Sequence, residues 1–160
     1  MRELKLSWQE IDQLVGLLSR QLRSMPIDVV LGVSRSGLVP AVMLSHHLGI
    51  RDFAVLDIKR TESDERNARK SAPVLRGILN PSLLKGRDVL LVDDIVGEGL
   101  TMRAAYEVLR PLCRSITSCA LAVNQRNLGT AAPRDVVNHH GCLVHGWIEF
   151  PWEGKEEAPR

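Results

Sequence analysis

Two adjacent carboxylates at the end of an apolar run, followed by a glycine-bearing loop, are the part of this 160-residue chain best suited to chemistry. The run is Val89-Leu90-Leu91-Val92 and the acids are Asp93 and Asp94; the loop Ile95-Val96-Gly97-Glu98-Gly99-Leu100 then opens a helical pattern over Thr101–Leu112. A buried strand, a polar crest and a helix start, in that order, suit a phosphorylated sugar. Glycines let the backbone approach an anion, and the free N–H groups and positive dipole end at a helix start favour phosphate. Thr101 adds a hydroxyl. Carboxylates facing that phosphate would repel it, so Asp93 and Asp94 are better employed on neutral ribose hydroxyls, because an ionised carboxylate only accepts hydrogen bonds and matches a diol. The alternative is a pair of solvated turn acids or N-caps. Mutual repulsion at the tip of an apolar strand weighs against it.

A second loop of the same kind follows the β-branched run Ile27–Val33, where Ser34-Arg35-Ser36-Gly37 precedes a helical stretch from Leu38 to Leu48. Alone, it reads as an ordinary strand-to-helix turn. In an open α/β sheet, however, ligands sit beyond the carboxyl ends of the strands, and two anion cradles flanking a diol clamp match 5-phosphoribosyl 1-diphosphate. A dinucleotide fingerprint is absent, since Gly97-Glu98-Gly99 is followed three residues later by Met102, and no Walker A lysine occurs.

The elements that must hold these loops alternate. Ser7-Trp8-Gln9-Glu10 has capping-box spacing ahead of Ile11, Leu14, Val15, Leu18 and Leu22, which predicts a helix over Trp8–Leu22. Strands are predicted at Ile27–Val33, Phe53–Ile58, Val89–Val92 and Ile116–Val123, and helices at Leu38–Leu48 and Thr101–Leu112. The expectation is one α/β domain over residues 1–160: a doubly wound, mostly parallel twisted sheet flanked by helices. Lys59–Lys70 has almost no apolar content, so residues 59–79 are expected to form either a solvated loop or a mobile flap whose cations close over a bound anion.

Twenty-one Lys and Arg against nineteen Asp and Glu give a net charge of +2 with no basic stripe, so nucleic acid is not an expected partner. Cys113, Cys119 and Cys142 lack CxxC spacing and read as reduced, and no run reaches membrane-spanning length, which together predict a soluble cytoplasmic protein without a membrane partner. His46-His47, His139-His140 and His145 lack metal-ligand spacing.

The Asp93-Asp94 block resembles the phosphoribosyl-diphosphate signature of type I phosphoribosyltransferases. With Leu6-Ser7-Trp8, Val33–Pro40, Leu48-Gly49-Ile50 and Trp147-Ile148-Glu149-Phe150-Pro151-Trp152, the chain is similar to the bacterial xanthine–guanine branch over nearly its whole length. That resemblance implies transfer of 5-phosphoribose from phosphoribosyl diphosphate to a nucleobase, purine-like by default, with release of diphosphate. It implies Asp93 and Asp94 on the ribose 2′- and 3′-hydroxyls, and substrate binding by Ser34, Arg35, Ser36, Gly37, Val96, Gly97, Gly99, Leu100 and Thr101. Residues 124–154 would form a small C-terminal hood, in which Trp147 would cover the base and Ile148 would offer backbone groups. Mg²⁺ is the implied cofactor, bound mainly through substrate and water with Asp93 as a weak ligand. A homo-oligomer is implied too.

Three positions depart from that pattern. Gly97 stands where purine members commonly carry an aspartate, Glu98 where they carry a threonine, and the Ala122-Val123-Asn124-Gln125 stretch lacks their lysine. Glu98 is therefore the candidate displaced acid, counted with Asp93 and Asp94 as catalytic. Loss of the aspartate and the lysine also supports an alternative, a non-catalytic paralogue that senses phosphoribosyl diphosphate or a nucleotide.

Overall fold

The computed structural model describes residues 3–61 and 70–154. A short strand β1 (Glu3–Lys5) precedes helix α1 (Trp8–Leu22), then β2 (Val29–Ser34), α2 (Leu38–Leu48), β3 (Phe53–Thr61) and β4 (Lys70–Leu79). The order continues with β5 (Asp88–Val96), α3 (Leu100–Leu109), β6 (Ser115–Asn124), the single turn α4 (Gln125–Leu128), β7 (His139–Val144) and β8 (Trp147–Glu149). Helix α1 starts where its capping box requires: Glu10 N–H donates to Ser7 Oγ at 3.2 Å, and the Glu10 carboxylate accepts the Ser7 N–H at 2.7 Å.

Six strands form the main sheet in the order β4-β3-β2-β5-β6-β7, with β4 antiparallel to β3 and every other pair parallel. Both faces are covered, so neighbouring residues of one strand bury in opposite directions and the central strands read as unbroken apolar runs. Val30, Leu90 and Leu121 pack against Ile11, Val15, Leu18 and Leu22 of α1 and Leu44 of α2. Leu31, Leu91 and Ala120 pack on the other side against Met102, Ala105 and Leu109 of α3. The chain leaves β2 toward β3 on one flank and returns at β5 on the other. That reversal between β2 and β5 is the topological switch point, where open α/β sheets hold ligands.

Several boundaries move from their expected places. Strand β5 does not stop at Val92 but runs through both acids to Val96, because parallel pairing with β6 continues from Asp93↔Ala120 to Val96↔Val123. Helix α3 ends at Leu109 rather than Leu112: Arg110 keeps helical backbone as the C-cap, but Pro111 has no N–H to continue the ladder, and Leu112 is left 37% exposed. The charged segment after Ile58 extends β3 to Thr61, and residues 70–79 pair with it antiparallel as β4, so both described ends of the 59–79 interval are strands. An edge strand needs no continuous apolar face. Arg66 and Arg69, two of the expected flap cations, lie outside the described residues.

A second, two-stranded sheet pairs β1 with β8 in parallel, setting Glu3 beside Trp147, Leu4 beside Ile148 and Lys5 beside Glu149. Leu6 N–H donates to Glu149 O at 3.0 Å, and Lys5 Nζ pairs with the Glu149 carboxylate at 3.2 Å. The N-terminal segment thus fixes the C-terminal hood. At the opposite end of the main sheet, Arg114 grips Asp88 at 2.6 Å and Asp28 at 3.2 Å. Hydrogen bonds from Arg114 and Ser115 hold the Asp88 carboxyl down at about 2.

Candidate active site

Both acids sit inside the sheet, each 9% exposed. Asp93 Oδ1 accepts the Asp94 N–H at 2.9 Å, and Asp94 Oδ1 accepts the Ile95 N–H at 2.8 Å. Burial raises the pKa of both, and the neighbouring Asp94 charge raises Asp93 further. Two carboxyls so placed are poorly solvated and gain from any donor that enters the cleft.

The two sequence loops meet at Asp93. A Cβ on Gly37 would stand 2.5 Å from Val33 O, 2.9 Å from Val92 O and 2.9 Å from Asp93 Oδ1, so only glycine lets the β2–α2 turn seat on the end of β5. The Ser34–Arg35 peptide in this turn is cis. Ser34 is not a free hydroxyl. It donates to Asp57 Oδ1 at 2.8 Å, and Asp57, which also takes Arg76 at 2.9 Å, is held below the usual carboxylate range by Arg76 first and Ser34 second. Gly37 therefore borders the cleft at Asp93, while Ser34, Arg35, Ser36 and Gly37 do not form the wall of its main cavity.

That cavity, about 280 Å³, is walled by Asp93 and Asp94, by Ile95 to Met102, and by Asn124, Asn127, Gly146, Trp147, Ile148 and Phe150, with Arg60 and Glu153 at its border. Every candidate residue of the loop that follows Asp93 and Asp94 is brought to it, as are both hood residues. Gly99 enters α3 at φ +78°, the left-handed conformation that glycine tolerates, and the unsatisfied N–H groups of the helix start lie at this wall. Trp147 and Ile148 alternate on β8: Ile148 is 4% exposed in the core beside Ile11, and Trp147 is half-buried. Trp152 stacks on Phe150 at 4.6 Å and meets Trp8 at 5.9 Å with the rings tilted by 53°, so it closes the hood as a packing residue.

Arg60 is the expected flap cation that the described residues bring to the cavity. Its guanidinium meets Glu98 at 3.0 Å, and its Nε donates to Ser71 O on β4 at 3.3 Å. Glu98, the anion in a phosphate cup, is thereby turned onto a cation. Asn124 is committed elsewhere: its Nδ2 donates to Gly146 O at 3.1 Å and its Oδ1 accepts the Arg126 N–H at 3.2 Å, tying the end of β6 to the hood. Asn127, which sequence patterning did not single out, flanks Gly97, and a Cβ on Gly97 would stand 3.2 Å from its Nδ2. No local signal marks Asn127, because the contact joins α4 to a loop thirty residues away. Among the described residues no cluster of three or more His, Cys, Asp or Glu forms a metal site. Asp93 and Asp94 are the carboxylate pair a cation could use in this cavity, which suits an ion held chiefly by substrate oxygens and water.

A doubly wound sheet with this paired-acid strand, glycine-bearing anion loop and C-terminal hood defines a type I phosphoribosyltransferase fold. The chain belongs to the phosphoribosyl transferase domain family, whose model matches residues 5–157, and it is a pentosyltransferase. It is 32% identical to the xanthine-guanine phosphoribosyltransferase of Idiomarina loihiensis over 154 residues, covering 95% of this chain and 88% of that one. Among solved structures, the purine phosphoribosyltransferase from Pyrococcus horikoshii superposes with a TM-score of 0.77 at 30% identity, covering 100% of this chain and 99% of that one. A Neisseria gonorrhoeae protein described with bound ppGpp shares the fold, with a TM-score of 0.79 at 20% identity over 97% of this chain and 91% of that one. Among the described residues no helix is long and apolar enough to cross a membrane.

Proposed function

We propose that the chain transfers 5-phosphoribose from phosphoribosyl diphosphate to a purine-like base. The observation that carries this reading is the seating of the Gly37 turn against Asp93, at the border of a cavity whose far wall is the 97–101 loop and whose cover is Trp147. The ribose diol donates to Asp93 and Asp94, the 5′-phosphate takes the N–H groups at the start of α3 and the Thr101 hydroxyl, and Trp147 covers the base. The diphosphate lies toward Arg35 and the β2–α2 turn.

As the bond from ribose C1 to the diphosphate oxygen lengthens, a ring nitrogen of the base forms the new bond to C1, and positive charge develops on the sugar. Two buried acids beneath that sugar favour the developing cation and hold the ring in line. Asp93 would be the weak protein contact of a Mg²⁺ ion that binds with the substrate, and that ion would supply charge neutralisation at the leaving diphosphate. Glu98 is the candidate acid for the proton of the base, and it must leave Arg60 to serve. We further propose a homo-oligomer, supported by Val74, Leu75 and Leu79 exposed along β4, and a cytoplasmic setting, supported by three free cysteines.

Calorimetric titration with phosphoribosyl diphosphate and Mg²⁺, followed by diphosphate-release assays across a panel of nucleobases, tests the reading. Gly97 in place of an acid, with Glu98 engaged by Arg60, favours one second reading, a sensor of phosphoribosyl diphosphate or a nucleotide such as the ligand of the Neisseria protein. Binding without turnover on any base would decide for the sensor, and failure to bind phosphoribosyl diphosphate would refute the first reading.

A further inference from the structure

A second cavity, about 220 Å³, lies behind the start of α3, between that helix and the segment that leads into β7. Arg103 and Arg134 line it from opposite sides, and neither guanidinium has an ion-pair partner among the described residues. One wall carries a fixed polar group. Asn138 Oδ1 accepts the Ser118 N–H at 2.8 Å and the Tyr106 hydroxyl at 3.0 Å, which assigns the amide orientation, since only oxygen accepts from an N–H. The Asn138 NH₂ group is then left to donate. Asp135, the one carboxylate on the lining, has an oxygen committed to the Ala132 N–H at 2.8 Å.

We propose that this cavity is a binding site for a small oxyanion of the phosphate class, separate from the substrate cleft. Two guanidiniums and an amide donor present a surplus of donors and positive charge. Such a set is satisfied by an acceptor-rich dianion, which arginine binds through paired N–H groups. The site has a physical link to the substrate loop. Val136, on the same segment as Arg134, packs on Gly99, where a Cβ would stand 2.6 Å from Val136 Cγ1. Gly99 and Met102 line both cavities. An anion that draws Arg134 toward Arg103 therefore presses Val136 on the glycine that sets the entry of α3 into the substrate site, and occupancy of one cavity alters affinity at the other.

The test fills the substrate cleft first. Protein saturated with phosphoribosyl diphosphate and Mg²⁺, without a base, is titrated calorimetrically with inorganic phosphate, and the same titration is run on Arg103→Ala/Arg134→Ala. The expected result is one further saturable site in the parent that is lost in the double variant, which still binds phosphoribosyl diphosphate in the absence of phosphate. A parent that shows no further site, or a double variant that binds phosphate equally, overturns the proposal. Should phosphoribosyl diphosphate itself fail to bind, the proposed transferase reading fails, and the comparison of parent with double variant on phosphate alone still decides the second site. Glycerol 3-phosphate and acetate as parallel ligands separate a phosphate ester from any carboxylate: equal binding of acetate overturns the phosphate class.

Discussion

Gly97→Asp tests whether the missing acid is what separates this cavity from an efficient purine site. Gly97 does not adopt the left-handed backbone that would strain a side chain; the obstacle is crowding. Its new Cβ would stand 3.2 Å from Asn127 Nδ2 and 3.3 Å from Asn127 Cβ. The amide end can swing aside, but the Cβ is anchored on α4, so the variant should lose about 1 kcal/mol, the low end for overpacking. For a domain of this size that is a fall in Tm of about 2–4 °C. Against that stands a positioned proton acceptor beside the base, which contributes about 10²–10⁴-fold where it is the missing group. The expected outcome is a rise in kcat/KM for at least one purine of on the order of tenfold or more, measured by diphosphate release, with Gly97→Asp/Asn127→Ser recovering the lost Tm and keeping the gain. If the double variant folds and binds phosphoribosyl diphosphate as the parent does, yet gains on no base, then the absent carboxylate is not the limit and the proposed acid role at this wall is refuted.

Four further outcomes follow from the same geometry. Because burial raises the Asp93 pKa, the folded protein holds that proton more tightly than the unfolded chain, and stability of the ligand-free protein declines as pH rises above the ordinary carboxylate value of 3.8. Asp93→Asn should therefore raise Tm at pH 7 while weakening phosphoribosyl diphosphate, since a hydrogen bond to a charged group contributes about 1.5–3 kcal/mol; unchanged affinity would remove Asp93 from the diol clamp. Glu98→Gln should tighten phosphoribosyl diphosphate several-fold with little change in Tm, because the Arg60–Glu98 pair is half-exposed on the Glu98 side and such pairs are worth about 0.2–1 kcal/mol; weaker binding would show that Glu98 orders the cup. Asn124→Ala removes the bond to Gly146 O and the α4 cap together and should cost about 1–2 kcal/mol in denaturant titrations. Asp88, with its carboxyl held at about 2 against an ordinary 3.8, contributes stability that is fully present above the ordinary value and is lost as pH falls toward about 2, so acid unfolding over that window should be blunted in Asp88→Asn.

What could be read from the chain was what local chemistry decides. The helix over Trp8–Leu22 matches residue for residue because Ser7 and Glu10 close its start, and the helix over Leu38–Leu48 ends where Gly49 turns left-handed at φ +70°. The short strands β1, β7 and β8 were not legible: Glu3–Lys5 is charged, and it pairs with Trp147–Glu149, more than 140 residues away. The acids show the same divide within one element. Their types and adjacency predict a diol clamp, yet they also predict a strand that ends before them, since paired carboxylates inside a sheet contradict burial. What carries β5 through Asp93 and Asp94 is backbone pairing to Ala120 and Ala122 on β6, which is indifferent to side-chain charge, and the energetic cost appears instead as raised pKa values. A fold that keeps two poorly solvated acids at its switch point is less stable for having them. In the proposed reading the ribose hydroxyls that enter the cleft supply the donors they lack, so the feature that weakens the empty protein would be the one that gives the substrate its grip.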